Sequence, residues 1–416
     1  MTRPLRGAVI RAGRSIGLYA AGGLATSVVG FLALPVFTRL FTTEEFGVIG
    51  LFTAAIGLLA PLMSLGSYVF ILYDSADPGD RAGVPGSVMA LATLGALILT
   101  VVGVGVGVVT DLPITLVLLA VCTSWANVWI LTRLHAFQSA EQPGRYFLLS
   151  AVVPLAGFVA TVLLASRIDG WGPRVYALTL AAGFGACWSA FSLVRGGLID
   201  WSRAVARIKE VASFGAPLVV HTASIWVVGF TDRFFVAELD GLDAAGIYTV
   251  AYAIGLGVAA AHDGVSRFFV SQLARWVMDH DGRGKASRFS YWYTAAAVAT
   301  LPVVVPLSIL GLRLLAAESY GDGADLLIWL VPAQALAGIA RVFTGYLYIE
   351  KRTRQRAVLS AGEALLNVAL TWLLVASLGM VGAAIATLLT YAASAIATFV
   401  MARRGPTLQS IAQSLR

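Results

Sequence analysis

Apolar stretches of about 20 residues recur along this chain twelve times, and that repetition constrains its fold more than any single motif. They occupy residues 16–38, 47–70, 86–110, 113–132, 147–165, 174–194, 213–236, 246–268, 291–314, 325–348, 357–376 and 380–402. As a helix, each is long enough for a hydrocarbon core of about 30 Å. A membrane β-barrel would show short alternating strands instead. Only 12% of the 416 residues are charged, against about 25% for a soluble chain, and 58% are hydrophobic. Most of the outer surface therefore meets something other than water, and the reading is an all-α integral membrane protein.

The first block exceeds a signal peptide's apolar core of about 7–15 residues and follows Arg3, Arg6, Arg11 and Arg14. It is expected to remain as the first helix. With the N-terminus placed in the cytoplasm, alternating sides puts 22 of the 29 basic residues on the cytoplasmic side. That is the excess expected of inward-facing loops. One helix too many or too few would invert every later loop and destroy the asymmetry. Both termini are thus expected in the cytoplasm. Outer loops are short, and the cytoplasmic links 195–212 and 271–290 read as surface amphipathic or turn segments. Neither could hold a soluble catalytic domain, so function is expected inside the bundle.

The link 195–212 divides the spans six and six, giving an N-terminal lobe over 1–200 and a C-terminal lobe over 201–416. The two halves echo each other. Phe37-Thr38-Arg39 followed by Phe46-Gly47-Val48 parallels Thr231-Asp232-Arg233 followed by Ala245-Gly246-Ile247. In each, a helix ends at an arginine, an acidic loop follows, and a glycine opens the next helix. Six is even, so the halves are parallel repeats, suited to rocking one lobe against the other. Pro35 and Pro61, in the first two helices, are the expected bends, because proline frees a carbonyl within the helix.

Ionisable groups inside a bilayer are costly and usually face a cavity or a partner. The first lobe offers Asn127 as its deepest strongly polar side chain. The second carries His221, His262, Asp263, Arg267, Arg341 and Glu363, with Asn367 a turn beyond. Counted from the helix ends, most of these lie roughly 8–12 Å below the cytoplasmic edge, in one layer. Two readings follow. The pairs Asp263–Arg267 and Arg341–Glu363 would tie helices together, or the layer would line a polar cavity. In a cavity, arginine suits a diphosphate because its planar fork donates two hydrogen bonds at once. Arg39, Asp232 and Arg233 at the outer helix ends would cap helices or lock an outer gate. The basic run 350–356 is expected to set topology and touch anionic headgroups. Cys122 and Cys187 read as small apolar packing residues. The chain has no phosphate-cradling glycine loop, no hydrolase motif and no Cys/His metal spacing. Neither an enzyme, a metal nor a cofactor is expected.

Leu34-Pro35-Val36-Phe37-Thr38-Arg39 with Glu45-Phe46-Gly47 resembles the opening signature of bacterial polysaccharide-export flippases. Phe214-Gly215-Ala216-Pro217, leading to Thr231-Asp232-Arg233-Phe234-Phe235 and Gly246-Ile247-Tyr248, is similar to their second-half signature. The run from Gly379 to Thr387 resembles their eleventh-to-twelfth helix connection. The resemblance implies two six-helix lobes around a central cavity in a bacterial inner membrane. It implies transfer of a polyprenyl-diphosphate-linked oligosaccharide to the outer leaflet for polysaccharide biosynthesis (lipopolysaccharide, capsule or exopolysaccharide). The partners implied are that glycan, membrane lipids, and neighbouring glycan polymerase and glycosyltransferases; nucleic acid is not among them. Arg267 and Arg341 are the positions that match the usual cationic cavity residues. The sequence departs from the pattern in lacking a deep arginine in the first lobe. A drug/ion antiporter of the same superfamily is the near alternative, and a membrane-embedded member of a glycan assembly complex the distant one.

Overall fold

The structure is a computed structural model and describes residues 18, 21–22, 28–74, 83–110, 112–276, 282–350 and 352–404. The N-terminal arginines, most of residues 16–27, Lys351 and residues 405–416 lie outside them. Helices account for nearly all of the described residues, and none is in a strand. In chain order they are α1 Val28–Leu40, α2 Thr43–Ser64, α3 Phe70–Tyr73, α4 Gly83–Thr110, α5 Ile114–Ser139, α6 Pro143–Ala165, α7 Gly172–Arg195, α8 Trp201–Leu239, α9 Leu242–Trp276, α10 Gly282–Ala299, α11 Leu301–Leu315, α12 Gly323–Ile349 and α13 Thr353–Arg403.

Nine of the described helices are long and apolar enough to cross a bilayer. Three adjustments bring the number to about twelve. The pair α10–α11 is one span broken by 50°, at Thr300 just before Pro302. α1 is the described part of the first apolar block. α13, with 51 residues, is about 76 Å of helix, more than twice the hydrocarbon thickness. It holds two spans joined at Gly379. Two links are shorter than the sequence suggests. α8 begins at Trp201 and runs unbroken into its span, and α9 continues to Trp276.

Gly379 shows how two spans join without a loop. Its φ of 59° and ψ of −144° are open only to glycine. The Asp240 carboxylate accepts the Met380 N–H at 2.6 Å, capping the first turn of the final span with negative charge. A Cβ at Gly379 would meet that same carboxylate.

Side chains are sorted as a hydrocarbon solvent requires. Leu97, Val101, Val108 and Val109 of α4 are exposed, whereas small hydroxyl residues turn inward. Buried Thr161, Thr387 and Thr390 donate to the carbonyls four residues back on their own helices, so they enter the core with their protons satisfied. Cys122 and Cys187 are exposed, free thiols, not the packing residues expected.

The chain forms two compact units, Met1–Ala33 with Leu51–Ala223 and Leu34–Gly50 with Ser224–Arg416. In the first, α5, α6 and α7 pack together, and α4 lies against α5. The part of α8 from Trp201 to Ala223 belongs to this unit, held there by Arg207. Its guanidinium forks onto both oxygens of Asp74 at 3.0 Å and also reaches Glu210. In the second unit α12 packs mainly against α9 and α13. It is the most enclosed span, with 72% of its apolar stretch buried against 11% for α4. A charge on α12 is therefore surrounded mainly by protein, whereas one on α4 would meet hydrocarbon.

Gly379→Ala should destabilise the protein by about 1–3 kcal/mol. Gly362→Ala, on the same helix with nothing within 4 Å of the added carbon, should be neutral or stabilise by up to about 1 kcal/mol. Unfolding in mixed micelles compares the two; equal losses would contradict the assigned turn.

Candidate functional site

Three polar groupings lie within the second unit. The first joins α9, α10 and α12. Asp263 accepts from the Nε and Nη2 atoms of Arg267 at 2.9 and 2.7 Å. Its other oxygen lies 3.7 Å from Arg341 Nε, which is charge contact but not a hydrogen bond. Arg341 Nε and Nη2 are buried and have no hydrogen-bond partner. The adjacent His262 ring meets the Tyr293 hydroxyl through Nδ1 at 2.8 Å, and both groups lie within electrostatic reach of Arg341. Gly338, one turn before Arg341, makes the crossing possible, since a Cβ there would fall 2.7 Å from both His262 Cβ and the Tyr293 hydroxyl.

Asp263 and Arg341 side chains are 37% and 40% exposed, and Arg267 is 82% exposed. The group is therefore partly open, with a carboxylate already shared by one arginine and a second arginine only partly compensated. A buried guanidinium edge with unused donors is costly to leave unmade. It is the kind of edge that accepts an oxyanion bidentately.

The second grouping lies on α13. Glu363 pairs with Arg356 at 3.0 Å and accepts from Ser394 at 2.5 Å. The expected Arg341–Glu363 pair does not form. Arg356 lies two turns before Glu363 on the same helix and reaches it locally, leaving Arg341 to Asp263. Asn367 is fully buried, and its amide donates to Thr390 at 3.3 Å while its Oδ1 has no partner. Glu363 and Asn367 thus knit the two spans of α13, whereas Asp263, Arg267, Arg341 and His262 form one cluster. His221, partly buried on α8, belongs to the first unit.

The third grouping lies toward the opposite end of the second unit, with Tyr248 about 22 Å along α9 from Asp263. Fully buried Asp232 accepts from the Tyr248 hydroxyl at 2.5 Å and lies 3.5 Å from Arg233. Arg233 donates to the Gly229 carbonyl and stacks over Phe230 and Tyr252. Gln334 and Tyr391 face the Tyr252 hydroxyl, and Tyr391 is also within electrostatic reach of Arg341.

At that end α2 and α9 cross on the two glycines of the sequence repeat. A Cβ at Gly47 would overlap the Leu242 carbonyl oxygen, and one at Gly246 the Thr43 carbonyl oxygen. Each glycine meets the residue four positions before its counterpart, a reciprocal contact of the kind a two-fold axis produces. Thr43 donates to Asp243 across the crossing. Tyr320 donates to the Phe41 and Thr42 carbonyls at 2.9 and 3.0 Å. Arg39 donates to the Pro35 and Leu315 carbonyls at 2.6 and 3.2 Å, and no carboxylate within 4 Å is recorded for it among the described residues. It joins helix ends through carbonyls. Pro35 lies inside α1 and Pro61 inside α2, three residues before that helix ends.

Sequence reasoning missed a buried arginine of the first unit. α5 extends to Ser139, so Arg133 lies within a helix and not in a loop. It is 8% exposed, its Nε lacks a partner, and its guanidinium stacks 4.0 Å over Phe137. His135, two residues on, bonds the Leu131 carbonyl and lies against Tyr68. The signal was present in Ile130, Leu134 and Phe137, whose helical spacing carries the apolar face past Arg133.

Glu363→Ala should cost about 3–5 kcal/mol, since it strands Arg356 with both side chains under 16% exposed. Asp263→Asn, at a half-open site, should cost under about 1 kcal/mol. Equal destabilisation in a denaturant titration would remove the distinction between a tie and a site.

The model of the family described as polysaccharide biosynthesis protein matches residues 12–258. No curated protein matches the chain. Among solved structures, a multidrug resistance MATE family transporter of the MOP superfamily, in an inward-facing conformation, superposes with a TM-score of 0.74 at 14% identity, over 98% of this chain and all of the other. Lipid II flippase MurJ, in an inward closed conformation, gives 0.71 at 13% identity over 95% and 90%. The MATE multidrug transporter DinF-BH in complex with R6G gives 0.66 at 15% over 96% of each. At these identities the superpositions speak for the fold. The family match, covering more than half of the chain, shows that this protein belongs to the polysaccharide biosynthesis protein family.

Proposed function

We propose that this protein is a flippase, a transporter that carries a polyprenyl-diphosphate-linked oligosaccharide from the cytoplasmic to the outer leaflet of a bacterial inner membrane. The observation that carries the reading is Arg341, a guanidinium on the most enclosed span whose Nε and Nη2 are buried and without partners. A diphosphate supplies the oxygens those donors lack, and Asp263 offsets the cation while the site is empty. Arg267 and His262 flank the entry. The prenyl tail stays in lipid, and only the headgroup needs a polar route.

Alternating access between a lobe over 1–200 and a lobe over 201–416 accounts for the reciprocal Gly47–Gly246 crossing, where two helices meet without side chains between them. Such a contact can part and reform cleanly. Arg39, Asp232 and Arg233 belong to this outer closure, and Pro35 and Pro61 to the helices that bend. Of the other polar residues of 201–416, Glu363 and Asn367 tie the two spans of α13, and His221 lies on the part of α8 that ends at Ala223. Both termini lie in the cytoplasm, and glycosyltransferases and a glycan polymerase act before and after the transfer step. The drug/ion antiporter reading has less support. Among the described residues of α1–α7 no carboxylate lies well inside a span, where such an antiporter would need one.

Arg341→Ala and Arg267→Ala should remain folded in the membrane and each lower surface glycan about tenfold, equivalent to about 1.4 kcal/mol of lost transition-state binding. Quantifying glycan in cells that depend on this chain tests it; normal glycan in both variants would remove the cavity assignment. Thr43→Cys with Asp243→Cys should cross-link under oxidation and stop transfer, with reducing agent restoring it. Transfer that continues at full rate through the cross-link would refute the moving outer seam.

A further inference from the structure

A crevice in the second unit runs between α10, α12 and the last span of α13, on a side of α10 other than the one that carries Tyr293 to His262. Its volume is about 380 Å³, and its walls include Val298, Leu336, Ile339, Phe343, Ala395 and Ile396. Almost no polar atom faces into it, and the rim residues Val298 and Ile396 are 53% and 65% exposed. The size falls within the range of small-molecule sites, about 300–1,000 Å³. In a spanning bundle, an apolar crevice open at its rim meets hydrocarbon, not water.

One end of the crevice is polar. Tyr291, Phe343 and Phe399 also line a second pocket of about 80 Å³, completed by Ser287, Ser290, Tyr346 and Arg403. Arg403 donates to the Tyr291 hydroxyl and lies 4.6 Å over the Phe399 ring. Ser290 and Tyr346 hydroxyls meet at 3.0 Å. No carboxylate within 4 Å is recorded for Arg403 among the described residues, and its residue is exposed. This is the bundle end at which α12 stops and α13 both starts and finishes, since Arg352 donates to the Met401 carbonyl at 2.8 Å. It is therefore an interfacial position, where a cation can reach headgroups.

We infer that this composite pocket is a binding site for one anionic phospholipid of the bilayer, with an acyl chain in the crevice and its phosphate on Arg403, Tyr291 and Ser287. Charge complementarity selects the occupant. The apolar part takes any chain, but a lone uncompensated guanidinium ringed by hydroxyls favours a headgroup with net negative charge over a zwitterionic one. The site is separate from the Arg341 cluster, which faces α9, and its occupancy would brace α10 beside the break at Thr300.

Native mass spectrometry of the whole protein, released from micelles doped with phosphatidylglycerol or phosphatidylcholine, tests the assignment. Phosphatidylglycerol should be retained preferentially. Arg403→Gln should weaken its retention about fivefold, the worth of one arginine against an anionic headgroup, and Arg404→Gln, outside the pocket, should leave it unchanged. Val298→Trp should fill the crevice and lower retention of the same lipid. Equal retention of the two lipids, or an unaffected Arg403→Gln protein, would overturn the site. Displacement of phosphatidylglycerol by an equal or lower concentration of a polyprenyl phosphate would also overturn it, reassigning the crevice to the prenyl chain. Glycan transfer in the same variants is measured separately, so loss of lipid retention with normal transfer, or the reverse, distinguishes this site from the Arg341 reading.

Discussion

A charge inside hydrocarbon must find a partner or open onto water, and that cost organises the second half of this molecule. Each ionisable side chain there has met it differently. Asp232 is sealed with Tyr248 and Arg233. Glu363 is tied to Arg356 and Ser394. Asp263 is shared between two arginines in a half-open position. Arg341 is the member whose demand is met least, because its carboxylate partner stands 3.7 Å away and two of its nitrogens have no acceptor. Arg356 leaves its own Nε unpartnered but holds Glu363 at 3.0 Å, whereas Arg341 leaves two nitrogens open and has its carboxylate beyond hydrogen-bond reach.

Glycine supplies the second constraint. With no side chain, Gly47 and Gly246 let α2 and α9 meet backbone to backbone, and Gly338 lets α12 approach His262 and Tyr293. Gly379 turns the chain between two spans with no intervening loop. Such contacts depend on shape more than on strong bonds. They hold helices at definite distances without fixing them through buried ion pairs, which suits a machine whose helices have to separate and rejoin. The polar groups then occupy positions that these approaches define.

Much of this was legible in the residues. Over the described residues the apolar blocks correspond to the helices of the structure, including the pair hidden in α13 and the one broken between α10 and α11. The paired glycines of the repeat were visible as a motif, as was the acidic and basic content of the second half. The grouping was harder to read. Counting residues from helix ends placed Arg341 and Glu363 at one depth and suggested that they pair. Depth does not specify azimuth, and Arg356 on the same helix reached Glu363 first. Arg133 was hidden for a related reason. A charged residue normally marks the end of an apolar block, but here the helix continues and the guanidinium lies over Phe137. Cys122 and Cys187 looked like packing residues because apolar blocks do not announce which face meets lipid.

The sequence alone determined the solvent, the approximate number of crossings and the repeated motif of the two halves, because length and hydropathy are local properties that a bilayer reads directly. Only the tertiary structure decided which charges neutralise one another, which glycines touch, and which arginine keeps unused donors. Those outcomes depend on the angle at which one helix faces the next, and that angle is set by packing among residues distant in the chain.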